Sequence, residues 1–554
     1  MREKQEENPI YPIVKPDRRK RSKSRPDYSE RRRFIRYKSN FPVKIYVGDG
    51  KEKKVYNAIA YDVSEGGLLI GGVDIPESEK RIRIKFRIPD GTMPEEYSAG
   101  IYNFEGEIKF KDEKNNFIGL SFDDTISKKL KRSAWKYLQI IAVVTLFITV
   151  ALFLLVKSQN IYWFWFNVPI FVYSLAVGTY LISRYIFAAF YKPPKKRPDD
   201  DLPDITVIIP AYNEEEHIRR TIVQIMEAEY PRDKMKVIVI NDGSSDGTLD
   251  VLKKTQEEYP ELIVVDFGEN RGKREAMATG VRMSDSEIVI FVDSDSFIKP
   301  DALRNIVDGF TDKNVAGICG HCDVENVWTN TLTKMQAVRY YISFIVMKAA
   351  ESVFDSVTCL SGPLAAYRRE HLMEVLDDWE HQKAFGHQAT FGDDRSLTTF
   401  LLKKHKVIYD SRAITTTIVP EKYKEFFKQQ ARWKRSWFRE SLRASLFMWK
   451  KQPLMALSFY LGFILPLLGP LVVLRAMIYV PFFQHGTPFT YLFGILLMST
   501  LMSGAYLFLK KSKMWIYSIP FNFFYMFVLI WQLPWAALTF WTSGWGTRKK
   551  KKKQ

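Results

Sequence analysis

The chain has 554 residues, of which 46% are hydrophobic and 26% are charged, and its formal net charge is +19. This length predicts several domains, and apolar segments beside highly charged ones favour soluble domains attached to membrane spans. The basic residues lie in runs next to the apolar segments rather than on one compact domain, which argues against a nucleic-acid-binding protein. Three cysteines argue against a disulfide framework and fit a reducing cytosol. The polar N-terminal region has no pattern typical of a signal peptide.

The N-terminal part of the chain divides into a tail and a predicted barrel. Residues 1–28 are basic and contain several Pro and Ser residues, so we expect them to be disordered. Short runs of alternating polarity then predict a small antiparallel β-barrel over residues 29–128, with Gly and Asp turns between the strands. The predicted strands are 43–47, 55–60, 67–70, 81–88, 102–110 and 118–122.

Two motifs in this region point to a ligand. Arg32 and Arg36 form R-x-x-x-R, and Asp62, Ser64 and Gly67 form D-x-S-x-x-G. Together they resemble the PilZ domain, which binds the bacterial second messenger cyclic di-GMP. Guanidinium groups are planar bidentate donors that suit phosphates and guanine edges, and glycine allows close backbone approach. A lipid-facing or solvated basic patch is the alternative interpretation of the arginine run taken alone.

Long apolar segments indicate membrane spans. Residues 131–190 are predicted to hold two transmembrane helices, at 137–156 and 162–183, each long enough for a hydrocarbon core about 30 Å thick. Basic residues flank both outer ends, so the positive-inside rule places those flanks and the region after them in the cytosol. Residues 454–541 predict further transmembrane or interfacial helices, and the sequence leaves four, five or six spans open.

The central region, residues 203–420, alternates between buried strands and helices. The predicted strands are 205–210, 237–241, 262–267 and 288–292. Continuous apolar runs of this length separated by helical stretches predict an α/β domain with a mostly parallel sheet. In such sheets the ligand binds at the carboxyl ends of the strands.

Polar motifs follow three of these four strands. Tyr212 and Glu214 follow the first, Asp242 follows the second, and Asp293 and Asp295 follow the fourth as a D-x-D motif. This set resembles the family 2 glycosyltransferases, whose GT-A fold binds a nucleotide-sugar. The resemblance implies that Tyr212 and Glu214 frame the nucleobase and that Asp242 bonds its polar edge. It also implies that Asp293 and Asp295 contact the sugar nucleotide and a divalent metal.

The chemistry of a UDP leaving group explains these residue types. Negative charge on the diphosphate rises as the glycosidic bond breaks, and Mg²⁺ or Mn²⁺, which prefer oxygen ligands, would neutralise it. Lys273 is well placed to add positive charge. The chain has no G-x-x-x-x-G-K-[ST] sequence, so a nucleoside triphosphatase would lack its phosphate loop. A solvated strand end is the alternative interpretation of the D-x-D motif taken alone.

A pair of acids further along the chain is expected to serve the acceptor. Asp393 and Asp394 precede a predicted helix at 396–402. Inverting transfer needs one base to take the proton of the attacking hydroxyl, and we assign that role to Asp394 with Asp393 in support. An N-cap for the helix is the alternative interpretation of the pair.

A Q-x-x-R-W motif follows on an amphipathic stretch. Gln429, Arg432 and Trp433 lie within residues 421–450, which predict an interfacial helix. Trp433 can stack on the face of a sugar, and Arg432 can meet a diphosphate.

Segments spread over residues 130–548 resemble hyaluronan synthases. They are 359–368 with Ser361, 392–395, 429–433 and 545–548. PilZ is not a usual part of that family, so the PilZ and synthase resemblances together imply a multidomain membrane protein with a PilZ-type β-barrel, a cytosolic α/β GT-A domain and an α-helical transmembrane region. They imply a processive enzyme of the bacterial inner membrane that transfers UDP-sugars to a growing polysaccharide acceptor and exports the product across the lipid bilayer, with cyclic di-GMP as activator. Ser361 is expected at the acceptor site together with the Q-x-x-R-W residues.

Other functions stay open at this point. Ser396 stands where histidine is common in hyaluronan synthases, and chitin-oligosaccharide synthases share much of the pattern, so the sugar is not assigned. A lipid-linked transferase that adds one sugar is an alternative, although such enzymes often lack the Q-x-x-R-W helix. A non-catalytic cyclic di-GMP receptor of a synthase complex is another, and it predicts erosion of the D-x-D motif, which is intact.

Overall fold

The computed structural model describes most of the chain, with several gaps. The described residues are 36–48, 54–76, 79–99, 101–112, 116–132, 144, 147, 151, 168–384, 386–389 and 391–542. The predicted tail at 1–28, Arg32, nearly all of the predicted span at 137–156 and the segment 545–548 therefore lie outside the described residues.

Six strands form the predicted N-terminal barrel. They close in the order β1-β2-β3-β6-β5-β4, with every pair antiparallel. Alternate residues point inward, so that Ile82, Ile84 and Phe86 are buried while the residues between them are exposed. The strands are β1 (Tyr37–Val47), β2 (Lys54–Ser64), β3 (Gly67–Gly71), β4 (Arg81–Arg87), β5 (Ile101–Asp112) and β6 (Phe117–Phe122). A short helix, α1 (Ile126–Arg132), follows the barrel.

An eight-stranded sheet forms the centre of the α/β domain. Its order is β11-β16-β12-β13-β10-β7-β8-β9, and the four predicted strands are confirmed as the parallel strands β7 to β10. The strands are β7 (Ile205–Ala211), β8 (Met235–Asn241), β9 (Leu262–Asp266), β10 (Ile288–Phe291), β11 (Ser296–Ile298), β12 (Val315–Val324), β13 (Ala365–Arg368) and β16 (Lys406–Thr417). A separate two-stranded pair joins β14 (Lys383–Ala384) and β15 (His387–Gln388).

Hydrophobic cores lie on both faces of this sheet. Val207 and Ile209 pack into one core and Ile208 packs into the other, which is why β7 is buried at every position. The covering helices are α3 (Ile218–Met226), α4 (Thr248–Glu258), α5 (Lys273–Met283), α6 (Ala302–Ile306), α7 (Thr331–Ile342), α8 (Ala349–Ser352), α9 (Arg369–Met373), α10 (Leu376–Glu380) and α11 (Asp393–Leu402). A π-helical turn, Ser343–Lys348, joins α7 to α8.

Four helical segments among the described residues are long and apolar enough to cross a membrane: Val168–Ala189, Pro453–Phe483, Tyr491–Lys510 and Lys513–Ala537. The corresponding helices are α2 (Val168–Ala189), α13 (Pro453–Leu474), α14 (Val480–Phe483), α15 (Phe489–Lys510), α16 (Ser518–Phe527) and α17 (Gln532–Ala537). The last segment is broken between α16 and α17 by a 3-10 turn, Leu529–Trp531. The predicted amphipathic helix is present as α12 (Tyr423–Ser445).

The barrel, the end of α15 and strand β12 meet at one junction. Glu95, on a 3-10 helix of the barrel, accepts hydrogen bonds from Tyr506 and from Ser512, the latter at 3.2 Å. Lys510 donates to Asp323 on β12 at 2.5 Å and lies 3.9 Å from Glu96 of the barrel. The end of α15, a candidate membrane span, therefore carries polar bonds to both the barrel and the α/β domain.

The junction predicts that docking of the barrel depends on pH. Burial, opposed in part by the charge of Lys510, raises the pKa of Glu95 from 4.5 to about 7. A raised carboxyl pKa means that the docked state binds a proton that the undocked state releases, so this stabilisation is full below 4.5 and is lost as the pH rises through 7. We expect a lower thermal unfolding midpoint at about pH 8 than at about pH 6. Glu95→Gln should lose that difference, whereas Asp74→Asn, at an exposed barrel position, should keep it. An unchanged pH profile in Glu95→Gln would contradict the assignment.

Candidate active site

The D-x-D motif lies at the carboxyl edge of the parallel strands, directly after β10. Lys273, the first residue of α5, forms an ion pair with Asp293. Although burial acts in the opposite direction, the carboxylates of Asp293, Asp393 and Asp394 raise the pKa of Lys273. Lys273 is therefore charged and lies within the field of both acidic motifs.

Two further carboxylates crowd the same edge. Burial and the charge of Asp293 raise the pKa of Asp295 to about 6. Burial and the charges of Asp295 and Asp293 raise the pKa of Glu214 to about 8. Glu214 is expected from the sequence beside the nucleobase, and in the structure its carboxyl group also senses the D-x-D motif. A group of half-buried carboxylates that resist simultaneous ionisation fits a hard divalent cation such as Mg²⁺ or Mn²⁺.

Asp242 orders the loop that leads into α5. Its side chain is buried, and Oδ1 accepts hydrogen bonds from the backbone N–H groups of Arg271 at 2.7 Å and Gly272 at 2.9 Å. Gly272 has a φ of 111°, a conformation that favours glycine. The loop therefore presents Lys273 at the start of the helix. Tyr212, also at this edge, is half-buried.

The two acids of the second motif have different environments. Asp393 is buried and pairs with Arg274 at 2.8 Å. Trp379 fixes this turn because its indole N–H lies 3.1 Å from the carbonyl oxygen of Asp393 and 2.9 Å from the Ser396 hydroxyl. Asp394 is half-buried, and its Oδ2 lies 3.6 Å from the thiol of Cys359. Asp394 is therefore the more accessible carboxylate.

Neither acid caps the helix. Gly392 occupies the N-cap position of α11 with a φ of 75°, and both acids lie in the first helical turn. That turn favours negative charge because the helix dipole is positive there. The alternative interpretation, in which the acid pair caps this helix, is therefore wrong. The N-cap residue is Gly392, which precedes both acids.

Helix α12 packs against the loop that carries these acids. Arg439 donates to the carbonyl oxygen of Phe391 at 2.8 Å. A side chain at Gly392 would overlap Ser436, so the glycine is needed for close contact between the two elements. The Q-x-x-R-W helix is consequently fixed beside Asp394.

The three residues of the Q-x-x-R-W motif have different exposures. The Trp433 side chain is 41% exposed, and its ring centroid lies 6.3 Å from that of Tyr340. The Gln429 amide oxygen is buried and makes no hydrogen bond to any residue that the structure describes. Burial and the charges of Cys322, Asp295 and Asp293 raise the pKa of Tyr340, and Arg432 opposes them. The motif is therefore electrostatically close to the D-x-D edge.

The segment around Ser361 closes the other side of the D-x-D motif. Lys348, from the π-helical turn, donates to the Ser361 hydroxyl at 2.8 Å. A Cβ atom on Gly362 would lie 2.7 Å from Oδ2 of Asp293. Gly362 thus lets the backbone approach the aspartate that pairs with Lys273.

A second group of predicted residues lies at the β2–β3 turn of the barrel. Arg36 lies 3.6 Å from Asp62, and the Ser64 hydroxyl donates to the carbonyl oxygen of Gly67 at 3.4 Å. Between them, Glu65 accepts a hydrogen bond from the Tyr97 hydroxyl at 2.5 Å. Arg36, Asp62, Ser64 and Gly67 are therefore brought together, while Arg32 lies outside the described residues.

Comparison with known protein families assigns both regions. Residues 203–436 match the model described as "Glycosyltransferase like family 2", and residues 30–139 match "PilZ domain". The chain contains a family 2 glycosyltransferase domain and a PilZ domain. The glycosyltransferase match includes the D-x-D motif, the Asp393–Asp394 pair and the Q-x-x-R-W motif, and the PilZ match includes both motifs of the barrel.

Two groups of curated relatives share the glycosyltransferase domain. The chain is 33% identical over 279 residues to a hyaluronan synthase of Streptococcus pyogenes, covering 49% of this chain and 65% of that protein. It is 32% identical over 283 residues to an N-acetylglucosaminyltransferase of Rhizobium meliloti (strain 1021), covering 49% of this chain and 66% of the relative. The match thus spans slightly less than two thirds of these relatives' length.

Solved structures also resemble the chain. A mannosyltransferase from Pyrobaculum calidifontis, in complex with GDP-Man and Mn²⁺, is 22% identical, with a TM-score of 0.46 and coverage of 66% of this chain and 98% of that structure. TarS 1–349 of S. aureus is 13% identical, with a TM-score of 0.32 and coverage of 61% and 91%.

Several residues at the glycosyltransferase site are not found by reasoning from the sequence. Arg274 and Trp379 hold Asp393, and Gly362 allows the close approach to Asp293. The two basic residues Lys273 and Arg274 are recognisable in the sequence. The role of Arg274, however, follows only from its contact with Asp393 in the structure. In the PilZ domain, Glu65 is an unspecified position of D-x-S-x-x-G, and its bond to Tyr97 has no local sequence signal.

The position of Gly362 predicts the effect of adding one methyl group. Gly362→Ala should displace Asp293 from Lys273 because the new Cβ would overlap the carboxylate. A misplacement of this kind is expected to lower the rate of nucleotide release from a sugar-nucleotide donor by about 100-fold. Gly504→Ala is the control because a Cβ there has no neighbour within 4 Å. Wild-type turnover in a folded Gly362→Ala protein would contradict the proposed fit.

Proposed function

We propose that the protein is a processive, inverting β-glycosyltransferase that polymerises UDP-sugars and exports the polysaccharide across the bacterial inner membrane. The product would be hyaluronan-like or contain N-acetylglucosamine or glucose. The observation that carries the proposal is the convergence of the D-x-D motif and Asp394 on the start of α5, beside the Q-x-x-R-W helix. The catalytic and PilZ domains would both face the cytosol.

The donor half of the site would hold the sugar nucleotide and a divalent cation. Asp293 and Asp295, with Glu214 close by, are the residues that would hold Mg²⁺ or Mn²⁺. When bound, the cation would neutralise charge developing on the diphosphate. Lys273 would add positive charge on the same side, while Tyr212 and Asp242 would border the nucleobase.

The acceptor half would deliver a hydroxyl group to the anomeric carbon. Asp394 would take the hydroxyl proton as the oxygen attacks C1, and the bond from C1 to the UDP oxygen would break with inversion. Asp393 is paired with Arg274 and would position the turn rather than accept the proton. Ser361, Gln429 and Trp433 would contact the acceptor sugar, and Arg432 would meet the diphosphate.

Bonds between α12 and the membrane helices support coupled synthesis and export. Lys434, next to Trp433, donates to the carbonyl oxygen of Leu529 and to Gln532, the latter at 3.2 Å. Burial and the charge of Arg339 lower the pKa of Lys434 to about 7. Because the acceptor helix is bonded to the last membrane segment, the growing chain would pass from Trp433 directly between the spans.

A single experiment tests polymerisation against the lipid-linked single transfer and the non-catalytic receptor. Products should be sized after incubation with single UDP-sugars and with pairs. Long products from one donor indicate a homopolymer, and a requirement for two donors indicates a copolymer. Single-sugar products would overturn the processive assignment, and no product under any condition would favour the receptor alternative.

The base assignment predicts a specific kinetic defect. Asp394→Asn should lower the polymerisation rate by about 100- to 10,000-fold, the range expected for loss of a general base. Affinity for UDP should be unchanged, since the donor site is intact. Asp377→Asn is the matched control because that acid is exposed and pairs only with Arg282 among the described residues. An Asp394→Asn enzyme that polymerises at the wild-type rate would refute the role.

Cyclic di-GMP would act from the PilZ domain. Its phosphates and guanine edges would contact Arg32, Arg36, Asp62, Ser64 and Gly67. The same turn holds Glu65, which bonds Tyr97 on the 3-10 helix that carries Glu95 to the membrane junction. Ligand binding at the turn would therefore change how the barrel sits on the end of α15 and increase activity.

Two substitutions separate binding from signalling. Arg36→Ala should weaken cyclic di-GMP binding by about 10- to 100-fold, because a charge-assisted phosphate contact is lost. Tyr97→Phe should retain binding but lower the activation ratio, because only the hydroxyl that bonds Glu65 is removed. Tyr61→Phe, at an exposed site of the same barrel, is the control. If calorimetry shows that Arg36→Ala and wild type bind cyclic di-GMP equally, the proposed ligand site is wrong. If Tyr97→Phe is fully activated, the proposed signalling path through Glu65 and Tyr97 is wrong.

A further inference from the structure

Three potential metal ligands converge on the glycosyltransferase domain. His371 lies on α9, Glu374 is the first residue after α9, and His405 lies in the turn before β16. Nδ1 of His371 is 3.2 Å from one oxygen of Glu374, and Nε2 of His405 is 3.5 Å from the other. One ligand atom from each residue lies within 4.8 Å of those of the other two.

This cluster lies at the edge of the sheet opposite the D-x-D motif. β12 and β16 run parallel and pair from Val315 and Lys406 onward, so His405 lies at their amino ends. β10 runs in the same direction as β12, because both are antiparallel to β13, and the D-x-D motif follows its carboxyl end. The cluster is therefore separate from the donor site.

The hydrogen bonding of His371 leaves the lone pair of its Nδ1 atom directed towards Glu374. Nε2 of His371 lies 3.0 Å from the carbonyl oxygen of Lys313, and a carbonyl can only accept a hydrogen bond. Nε2 therefore carries the proton, and in the neutral ring Nδ1 has the lone pair. That lone pair faces a carboxylate oxygen 3.2 Å away, and a metal ion bound between the two atoms would replace their repulsion by coordination. The carbonyl of Lys313 acts as the outer partner that usually orients a metal-binding histidine.

His405 supplies a second, independent observation. Its Nε2 atom is buried and makes no hydrogen bond to any described residue. The two imidazole rings stack with centroids 3.8 Å apart, and one nitrogen of each ring lies within 3.5 Å of a Glu374 oxygen. A buried unsatisfied nitrogen directed towards a carboxylate is relieved by a shared cation.

We propose that His371, Glu374 and His405 bind a structural divalent transition-metal ion, with Zn²⁺ as the preferred ion and water completing the coordination. Two imidazoles and one carboxylate favour Zn²⁺ over Mg²⁺ or Ca²⁺, which prefer oxygen ligands alone. The ion would join α9 to the turn before β16, and through Lys313 it would also hold the segment before β12. Lys404, which lies 3.3 Å from Glu374, would lose that contact when the metal binds.

Zn²⁺ binding to the full-length protein tests the site. The protein should be purified in detergent without a polyhistidine tag, stripped with a chelator and returned to excess Mg²⁺ to occupy the D-x-D site. Titration with Zn²⁺ against a chromophoric chelator should reveal one equivalent in the wild type that is lost in His371→Ala/His405→Ala. His381→Ala is the matched control because this exposed histidine directly follows α10 and lies outside the cluster, so the variant should retain the equivalent.

A second measurement keeps the proposal falsifiable if the double variant does not fold. Glu374→Gln preserves the shape of the side chain and should weaken Zn²⁺ binding. Zn²⁺ should raise the thermal unfolding midpoint of the wild type and not that of Glu374→Gln. The proposal is overturned if Zn²⁺ binds equally to all variants. It is also overturned if the wild type gains no stability from Zn²⁺.

Discussion

The first two residues of α5 hold together acidic groups that would otherwise repel one another. Lys273 pairs with Asp293, and Arg274 pairs with Asp393. Two like charges about 4 Å apart at an effective dielectric constant of about 20 repel by about 4 kcal/mol, a large fraction of the stability of a domain. Two adjacent basic residues therefore allow the D-x-D motif and the Asp393–Asp394 pair to share one edge of the sheet. Asp242 makes this possible by fixing the loop from which both basic side chains emerge.

This arrangement gives the two neighbouring acids different chemistry. Arg274 forms a buried ion pair with the carboxylate of Asp393. The indole N–H of Trp379 donates to the backbone carbonyl of Asp393 and so helps to fix the same turn. Asp394 is partly exposed, and its carboxylate accepts a backbone hydrogen bond from Arg395 at 2.8 Å and makes a weak contact with the thiol of Cys359. One basic residue thus supports the geometry of the turn, and the proposed base stays available to a hydroxyl group.

The sequence predicts those parts of the molecule that depend on local patterns. Each of the strands β7 to β10 contains at least four consecutive apolar residues, and the motifs that follow three of them meet because parallel strands end at a common edge. The pair between Arg274 and Asp393 joins residues 119 positions apart, so no periodicity reveals it. The contact of Gly362 with Asp293 is likewise a consequence of tertiary packing. The N-cap interpretation of Asp393 and Asp394 is wrong because Gly392 alone can adopt the left-handed conformation while packing against Ser436.

Strand β12 links the membrane junction to the field at the donor site. Although burial acts the other way, Lys510 and the ring of His321 hold the pKa of Asp323 well below its usual range, so this carboxylate is ionised. Its neighbour Cys322 has a raised pKa because of burial and the charges of Asp323, Asp295 and Asp293, which places all three acids within electrostatic range of one thiol. A movement of the PilZ domain that drew Lys510 away would leave Asp323 with His321 as its remaining charged partner. Added negative charge near the D-x-D motif would oppose binding of a diphosphate, so in the proposed mechanism Lys510 would couple the position of the barrel to the affinity for the donor.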